Sequence, residues 1–331
     1  MHPTQLKKAL SSAIKAQVST FIWGPPGIGK SKLTQQLAEE MNMELIDLRL
    51  SQLDPADIRG IPSIDIKNRL SIWNSPEFLP REGVNKENGI LFFDELNSAH
   101  PATQTVAYQL ILDRRVGNYV LPDGWTCMAA GNRMEDKAIV NRMSSALSNR
   151  FLHLDFTVYF EDWVIWATRS KIIPEVISFI RYQPQMLHNM GDGTERAFPT
   201  PRSWEFVSKL LPHTDKELQL DIITGLVGDG AAAQFIGYNE IYSNLPDPDK
   251  ILSDPDSVTV DDDNPAIMFA VAGALAHRAT EKTFEKILKY ADRMPPEYQT
   301  ILIRDSLATN KDLRHEKCFK EWTRKNANAL L

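Results

Sequence analysis

The octapeptide Gly24-Pro25-Pro26-Gly27-Ile28-Gly29-Lys30-Ser31 decides how this chain is read. It follows the β-branched and aromatic run Val18 to Trp23 and opens into the helix-patterned stretch Lys32 to Met41, so the order is strand, glycine-rich loop, helix. Gly24, Gly27 and Gly29 let the backbone curl until successive N–H groups point inward, and a helix beginning near Lys30 adds its positive dipole end. Such a cradle suits phosphate groups. Gly24 through Lys32, with Pro25, Pro26 and Ile28 inside the wrap, form the expected nucleotide-binding set. Lys30 reaches the β- and γ-phosphates, and Ser31 offers its hydroxyl to Mg²⁺.

The next informative stretch is Gly89-Ile90-Leu91-Phe92-Phe93-Asp94-Glu95. Four bulky apolar residues read as a strand buried on both faces, and it ends in two acids. A carboxylate at the C-terminal end of a central parallel strand lies in the crevice where such sheets bind ligands. Asp94 would hold Mg²⁺ directly or through water, and Glu95 would accept a proton from, or orient, the water that attacks the γ-phosphate. An apolar run ending in Asp-Glu is common alone; downstream of a phosphate loop it is specific.

Around these two stretches the pattern is α/β. Gln5 to Lys15 is helical, Glu44 to Leu48 a strand, and a helix begins near Asp54-Pro55. Ile64 to Ile66 and Leu70 to Trp73 flank the polar turn Lys67-Asn68-Arg69, which reads either as a hairpin or as a plain surface loop. Pro101 to Asp113 is the next helix. Val116 to Leu121, the turn Pro122-Asp123-Gly124 and Trp125 to Ala130 read as a β-hairpin whose second arm continues as a core strand. Asn132, at that strand's end, is either a turn former or a hydrogen-bond partner of the lytic water or γ-phosphate. Arg150, or Arg142 before it, precedes the strand Leu152 to Phe156; each reads as a surface arginine or as one presented to a neighbour's γ-phosphate.

Size and charge bound the remaining classes. The chain has 331 residues, 43% hydrophobic and 24% charged, with room for two domains and a large core. No apolar signal-peptide region opens it, and the longest apolar stretch, Ile267 to Ala276, falls short of the ~20 residues a membrane span needs; a cytoplasmic protein without membrane insertion is expected. Cys127 and Cys318 stand alone, without CxxC or HExxH spacing, so neither a disulfide scaffold nor a zinc site is supported. A net charge of −6 gives no broad footprint for nucleic acid. GTP is disfavoured because no NKxD segment occurs; Asn310-Lys311-Asp312-Leu313 has its acid one place early.

From Glu161 onward helical periodicity takes over. Thr200 suits an N-cap and Pro201 a first helical position, which puts Arg202 in the first turn, where a cation opposes the helix dipole and calls for an anion, either a nearby acid or a bound γ-phosphate. Asp247 to Asn264, with its Asp261-Asp262-Asp263 run, reads as a linker or exposed loop. Phe284, Ile287, Leu288 and Ala291 share one helical face, and Pro295-Pro296 ends that helix.

Assembled, these residues resemble an AAA+ ATPase, and more narrowly the MoxR group. GPPGIGKS and ILFFDE match the two nucleotide motifs, DELNSAHPATQTVAYQLILDRRVG resembles the segment after the acidic pair, AAGN the sensor-1 strand end, LSNRF the arginine-finger position and FPTPRSW the sensor-2 helix. The resemblance implies a P-loop parallel sheet flanked by helices over residues 1–158, an all-helical lid over 159–245 and a helical extension over 246–331. It makes Asn132 sensor 1, Arg150 a finger acting across a subunit boundary and Arg202 sensor 2. The inserts near Ile64 to Trp73 and Val116 to Trp125 would line a central pore. The implied function is ATP hydrolysis with Mg²⁺ by a hexameric ring of identical subunits that remodels a protein client, through a partner with a von Willebrand factor A domain. Two rivals stay open: a motor or loader directed at nucleic acid, and a nucleotide-dependent switch with little turnover.

Overall fold

The computed structural model describes residues 1–136, 141, 143, 148–191, 195–243, 245–261 and 264–326. The chain divides into two compact units, Met1–Tyr159 and Phe160–Leu331.

The first unit is built on a five-stranded sheet. Its strands are β1 (Thr20–Trp23), β2 (Glu44–Arg49), β5 (Gly89–Asp94), β8 (Trp125–Gly131) and β9 (Leu152–Asp155), all parallel, in the order β2-β5-β8-β1-β9. Parallel pairing puts every C-terminal strand end on one edge: Trp23 lies opposite Gly131 and Asp155, and Arg49 opposite Asp94. Alternating side chains then split into two cores. Ile22, Ile90, Phe92, Met128 and Ala130 pack with Leu6 and Leu10 of α1 (Pro3–Lys15) and Leu33 and Leu37 of α2 (Lys30–Glu40). Phe21, Leu91, Phe93, Cys127 and Ala129 pack on the other face with Ile58 of α3 (Pro55–Arg59) and Val106 and Leu110 of α4 (Pro101–Asp113). The central strands β5 and β8 are buried at every residue, which is why the first reads as an unbroken apolar run.

Two antiparallel pairs leave this sheet. β3 (Ile61–Asp65) and β4 (Leu70–Asn74) form a hairpin, so the stretch between Ile64 and Trp73 is not a plain loop. It leaves Ile64 and Ile66 80% and 85% exposed. The second pair corrects an expectation: Val116 to Leu121 does not pair with Trp125 to Ala130. Instead β6 (Arg115–Val116) pairs with β7 (Tyr119–Val120) about Gly117, whose φ of 55° is the left-handed turn conformation. Pro122-Asp123-Gly124 does turn the chain, with the Trp125 N–H donating to the Pro122 carbonyl at 3.0 Å. It turns it into the central sheet, where both edges of β8 are taken by parallel neighbours.

The second unit is helical. Pro265–His277 packs against Pro174–Tyr182 and Pro296–Thr309, burying Val271, Ala272 and Leu275; the Ile267 to Ala276 stretch is therefore a core helix. No helix among the described residues is long and apolar enough to cross a membrane. Arg181 and Asp305 form a buried ion pair between Pro174–Tyr182 and Pro296–Thr309. The stretch from Asp247 also departs from expectation. It carries the helix Pro248–Ser253, capped by the Asp247 side chain, with Ile251 and Leu252 buried. Residues 262 and 263 of the acidic run lie outside the described residues.

Candidate active site

The phosphate loop sits where β1 ends. Gly24 is held against Gly131 of β8 by an N–H to carbonyl bond of 3.3 Å, and a Cβ there would meet the Phe156 carbonyl oxygen at 2.7 Å. Gly27 and Gly29 have φ of 78° and 94°, and Gly29 caps α2, so the curl expected of the glycines is present. The Ile28 side chain is buried in the core, and that of Lys32 is exposed, within reach of Gln35. Pro25 and Pro26 lie half-buried in the loop.

Lys30 and Ser31 carry the contacts that define the site. Lys30 Nζ donates to the Gly24 carbonyl at 2.6 Å, the Pro25 carbonyl at 3.0 Å and Asn132 Oδ1 at 2.9 Å. Ser31 Oγ donates to Asp94 Oδ2 at 2.6 Å, and Asp94 Oδ1 accepts the N–H of Glu95 at 2.9 Å. Glu95 has φ of 56°, a left-handed backbone that is strained for a residue with a Cβ. Thus Gly24 to Ser31, Asp94, Glu95 and Asn132 meet at one sheet edge. Ser31 and Asp94 supply a hydroxyl and a carboxylate in contact, an oxygen donor set that fits a hard divalent cation.

Several groups at this edge have no sequence motif. The Ser51 hydroxyl donates to Glu95 Oε2, which ties the second acid to the end of β2. Asn97 donates to the Asn132 carbonyl at 2.7 Å and its own Oδ1 is buried without a partner; a Cβ on Gly131 would stand 2.1 Å from it. Arg133 clamps Asp155 at 2.7 Å across the same edge. Asp47 on β2 lines a cavity of about 520 Å³ with Ser31, Lys32 and Gln35. Partial desolvation, then the charge of Asp94 and, less, that of Glu95 push its carboxyl up to about 6, against the pull of Arg49. Adjacency of β2 to β5 brings Asp47 and Ser51 here, and strand order is the signal their sequence lacks.

Of the predicted residues that remain, only Arg150 can be placed against this cluster, and it lies apart from it. Arg150 is exposed in the turn before β9, and Leu152 pairs with Thr20 at the start of β1. About 10 Å of strand, at ~3.3 Å per residue, therefore separates that turn from the loop after Trp23. Arg202 lies exposed in the first turn of Pro201–Leu210, in the second unit. Thr200 caps that helix, its Oγ1 accepting the Ser203 N–H at 3.0 Å. Arg142 lies outside the described residues.

Residues 19–151 match the family described as an AAA domain of the dynein-related subfamily. Lon protease 2 of Borreliella burgdorferi is 30% identical over 108 residues, 31% of this chain, and the chain spans 13% of the length of that relative. Among solved structures, a RuvB mutant of Thermotoga maritima is 19% identical, with 76% of this chain and 75% of that chain covered and a TM-score of 0.42. NtrX of Brucella abortus in complex with ADP is 13% identical, with 99% and 68% covered and a TM-score of 0.42. The phosphate loop, the acid-tipped strand and the asparagine after β8 all fall inside the matched stretch, so the part of the chain that is similar to an AAA domain of the dynein-related subfamily is the part that carries the site.

Proposed function

We propose that the chain is an ATP-hydrolysing ring motor of the MoxR type that remodels or activates a protein client. The observation that carries this reading is the meeting of Lys30, Ser31, Asp94, Glu95 and Asn132 at one sheet edge while Arg150 stands at the other. An arginine there is separated from its own loop by about 10 Å of strand. It can serve the loop of an adjoining copy, which motivates a closed ring of identical subunits, six in the MoxR pattern.

In this mechanism the loop's N–H groups and Lys30 bind the triphosphate, Lys30 exchanging at least one present partner for a phosphate oxygen. Glu95 takes the proton of the attacking water. The water oxygen bonds to the γ-phosphorus as the bond to the β–γ bridging oxygen breaks, and ADP leaves with that electron pair. Asn132 orients the water or the γ-phosphate, the neighbour's Arg150 stabilises the charge of the transition state, and Arg202 acts as the sensor its motif implies. Ser31 and Asp94 would hold Mg²⁺, which when bound neutralises phosphate charge.

The isoleucines of the β3–β4 hairpin support a protein client. Ile61, Ile64 and Ile66 are exposed, and apolar side chains grip polypeptide better than they track phosphates. A partner with a von Willebrand factor A domain follows from the MoxR likeness.

The test is a pull-down with Glu95→Gln, which should retain a protein client with ATP, release it without, and lose it when Ile64→Asp and Ile66→Asp are added. Retention of no protein, together with DNA-stimulated hydrolysis that falls steeply with salt, would replace this reading by a nucleic-acid motor.

A further inference from the structure

Trp23 Nε1–H donates to His153 Nδ1 at 2.9 Å, and His153 Nε2 lies 2.7 Å from the Ser148 carbonyl oxygen. An indole nitrogen only donates and a carbonyl only accepts, so in this bridge Nδ1 serves as the acceptor and Nε2 as the donor, with the Ser148 hydroxyl 3.3 Å from Nε2 as well. The Trp23 and His153 rings stack at 6.0 Å and 24°, with Phe21 and Phe151 beside them. Both ends of this bridge matter. Trp23 is one peptide bond from Gly24, whose carbonyl holds Lys30. Ser148 begins the turn that carries Arg150, and its carbonyl also accepts the Phe151 N–H at 3.4 Å.

We propose that His153 is a positioning residue for Arg150, clamping the 148–150 turn to the strand that delivers the phosphate loop. The proposal rests on the reading of Arg150 as a finger that works in the adjoining subunit. A guanidinium on an exposed turn is useful only in a narrow range of positions, since a displacement near 1 Å can cost about 10²-fold in rate. The sheet holds the turn from one side, through the Leu152 N–H to the Ser19 carbonyl at 3.0 Å. His153 holds it from the other and links its geometry to the residue in front of the loop.

The experiment uses the full chain. His153→Phe keeps a stacking ring and removes both hydrogen bonds. It should lower kcat about 10- to 100-fold with KM for ATP unchanged. His153→Gln, which can still donate to Ser148, should recover most of the loss, and Trp23→Phe, which removes only the indole donor, should lower kcat in the same sense. The decisive arm is mixing. His153→Phe subunits keep an intact ATP site and Glu95→Gln subunits keep an intact Arg150 turn, so mixed rings should hydrolyse more than the sum of the two alone. Arg150→Ala mixed with Glu95→Gln is the control. Rescue in the control but not with His153→Phe would overturn the proposal, as would full kcat or a raised KM alone in His153→Phe. Rescue in neither mixture would overturn the shared site itself.

Discussion

Replacing Lys30 by Met keeps the length and apolar body of the side chain while removing its charge and its donors. In the structure all three N–H donors are engaged, on the Gly24 and Pro25 carbonyls and on Asn132. A bound triphosphate must displace at least one of them. An ammonium and a phosphate oxygen about 4 Å apart attract by about 4 kcal/mol at an effective dielectric constant near 20. Giving up one carbonyl bond costs about 1 kcal/mol. The balance is about 3 kcal/mol, or roughly a hundredfold in Kd. Titration of a fluorescent ATP analogue should therefore show Lys30→Met binding about a hundredfold more weakly than wild type. The same change leaves two loop carbonyls and the Asn132 amide oxygen short of a donor, so the nucleotide-free variant should also unfold at lower denaturant, by about 1–3 kcal/mol. An unchanged Kd would refute the placement of phosphate against Lys30.

Three further perturbations separate the parts of the molecule. Asp47, raised to about 6 from an ordinary 3.8, binds a proton more tightly folded than unfolded; it costs the fold nothing while protonated below that window, costs more as pH rises through it, and carries its full penalty above it. Asp47→Asn should thus raise the thermal midpoint of the nucleotide-free protein above pH about 6 and match wild type below 3.8, read by a pH series of melts. Gly131→Ala puts a methyl against Asn97 Oδ1 and the Phe21 ring, which should destabilise the first unit by about 1–3 kcal/mol in denaturant titration and disturb Asn132 next to it. Asp305→Ala leaves Arg181 charged and buried, and should cost the second unit about 3–5 kcal/mol by the same measurement.

Much of this arrangement was legible because its residues act through local chain geometry. The glycine spacing before Lys30 favours a curl, the apolar run before Asp94 suits a strand covered on both faces, and Thr200-Pro201 supplies a cap and a first-position proline for the helix that follows. Contacts that depend on which strand lies beside which were not legible. Ser51 and Asp47 reach the acidic pair only because β2 pairs with β5, and His153 reaches Trp23 only because β9 lies beside β1. The misread hairpin has the same origin. Pro122-Asp123-Gly124 is turn-forming in either topology, and only the sheet decides that Trp125 continues parallel to Gly89 rather than folding back on Val120. The helix at 248–253 was hidden by the flanking Asp and Pro residues, which serve as its cap and first turn.

Phosphate release by the purified full chain with Mg²⁺ and ATP, wild type against Glu95→Gln, tests the assignment of this edge as a hydrolytic site most directly. Wild type should turn over, and Glu95→Gln should bind ATP with an unchanged Kd yet release phosphate at least about 10²-fold more slowly, the span expected of a lost general base. Near-normal release by Glu95→Gln would contradict the role given to that carboxylate.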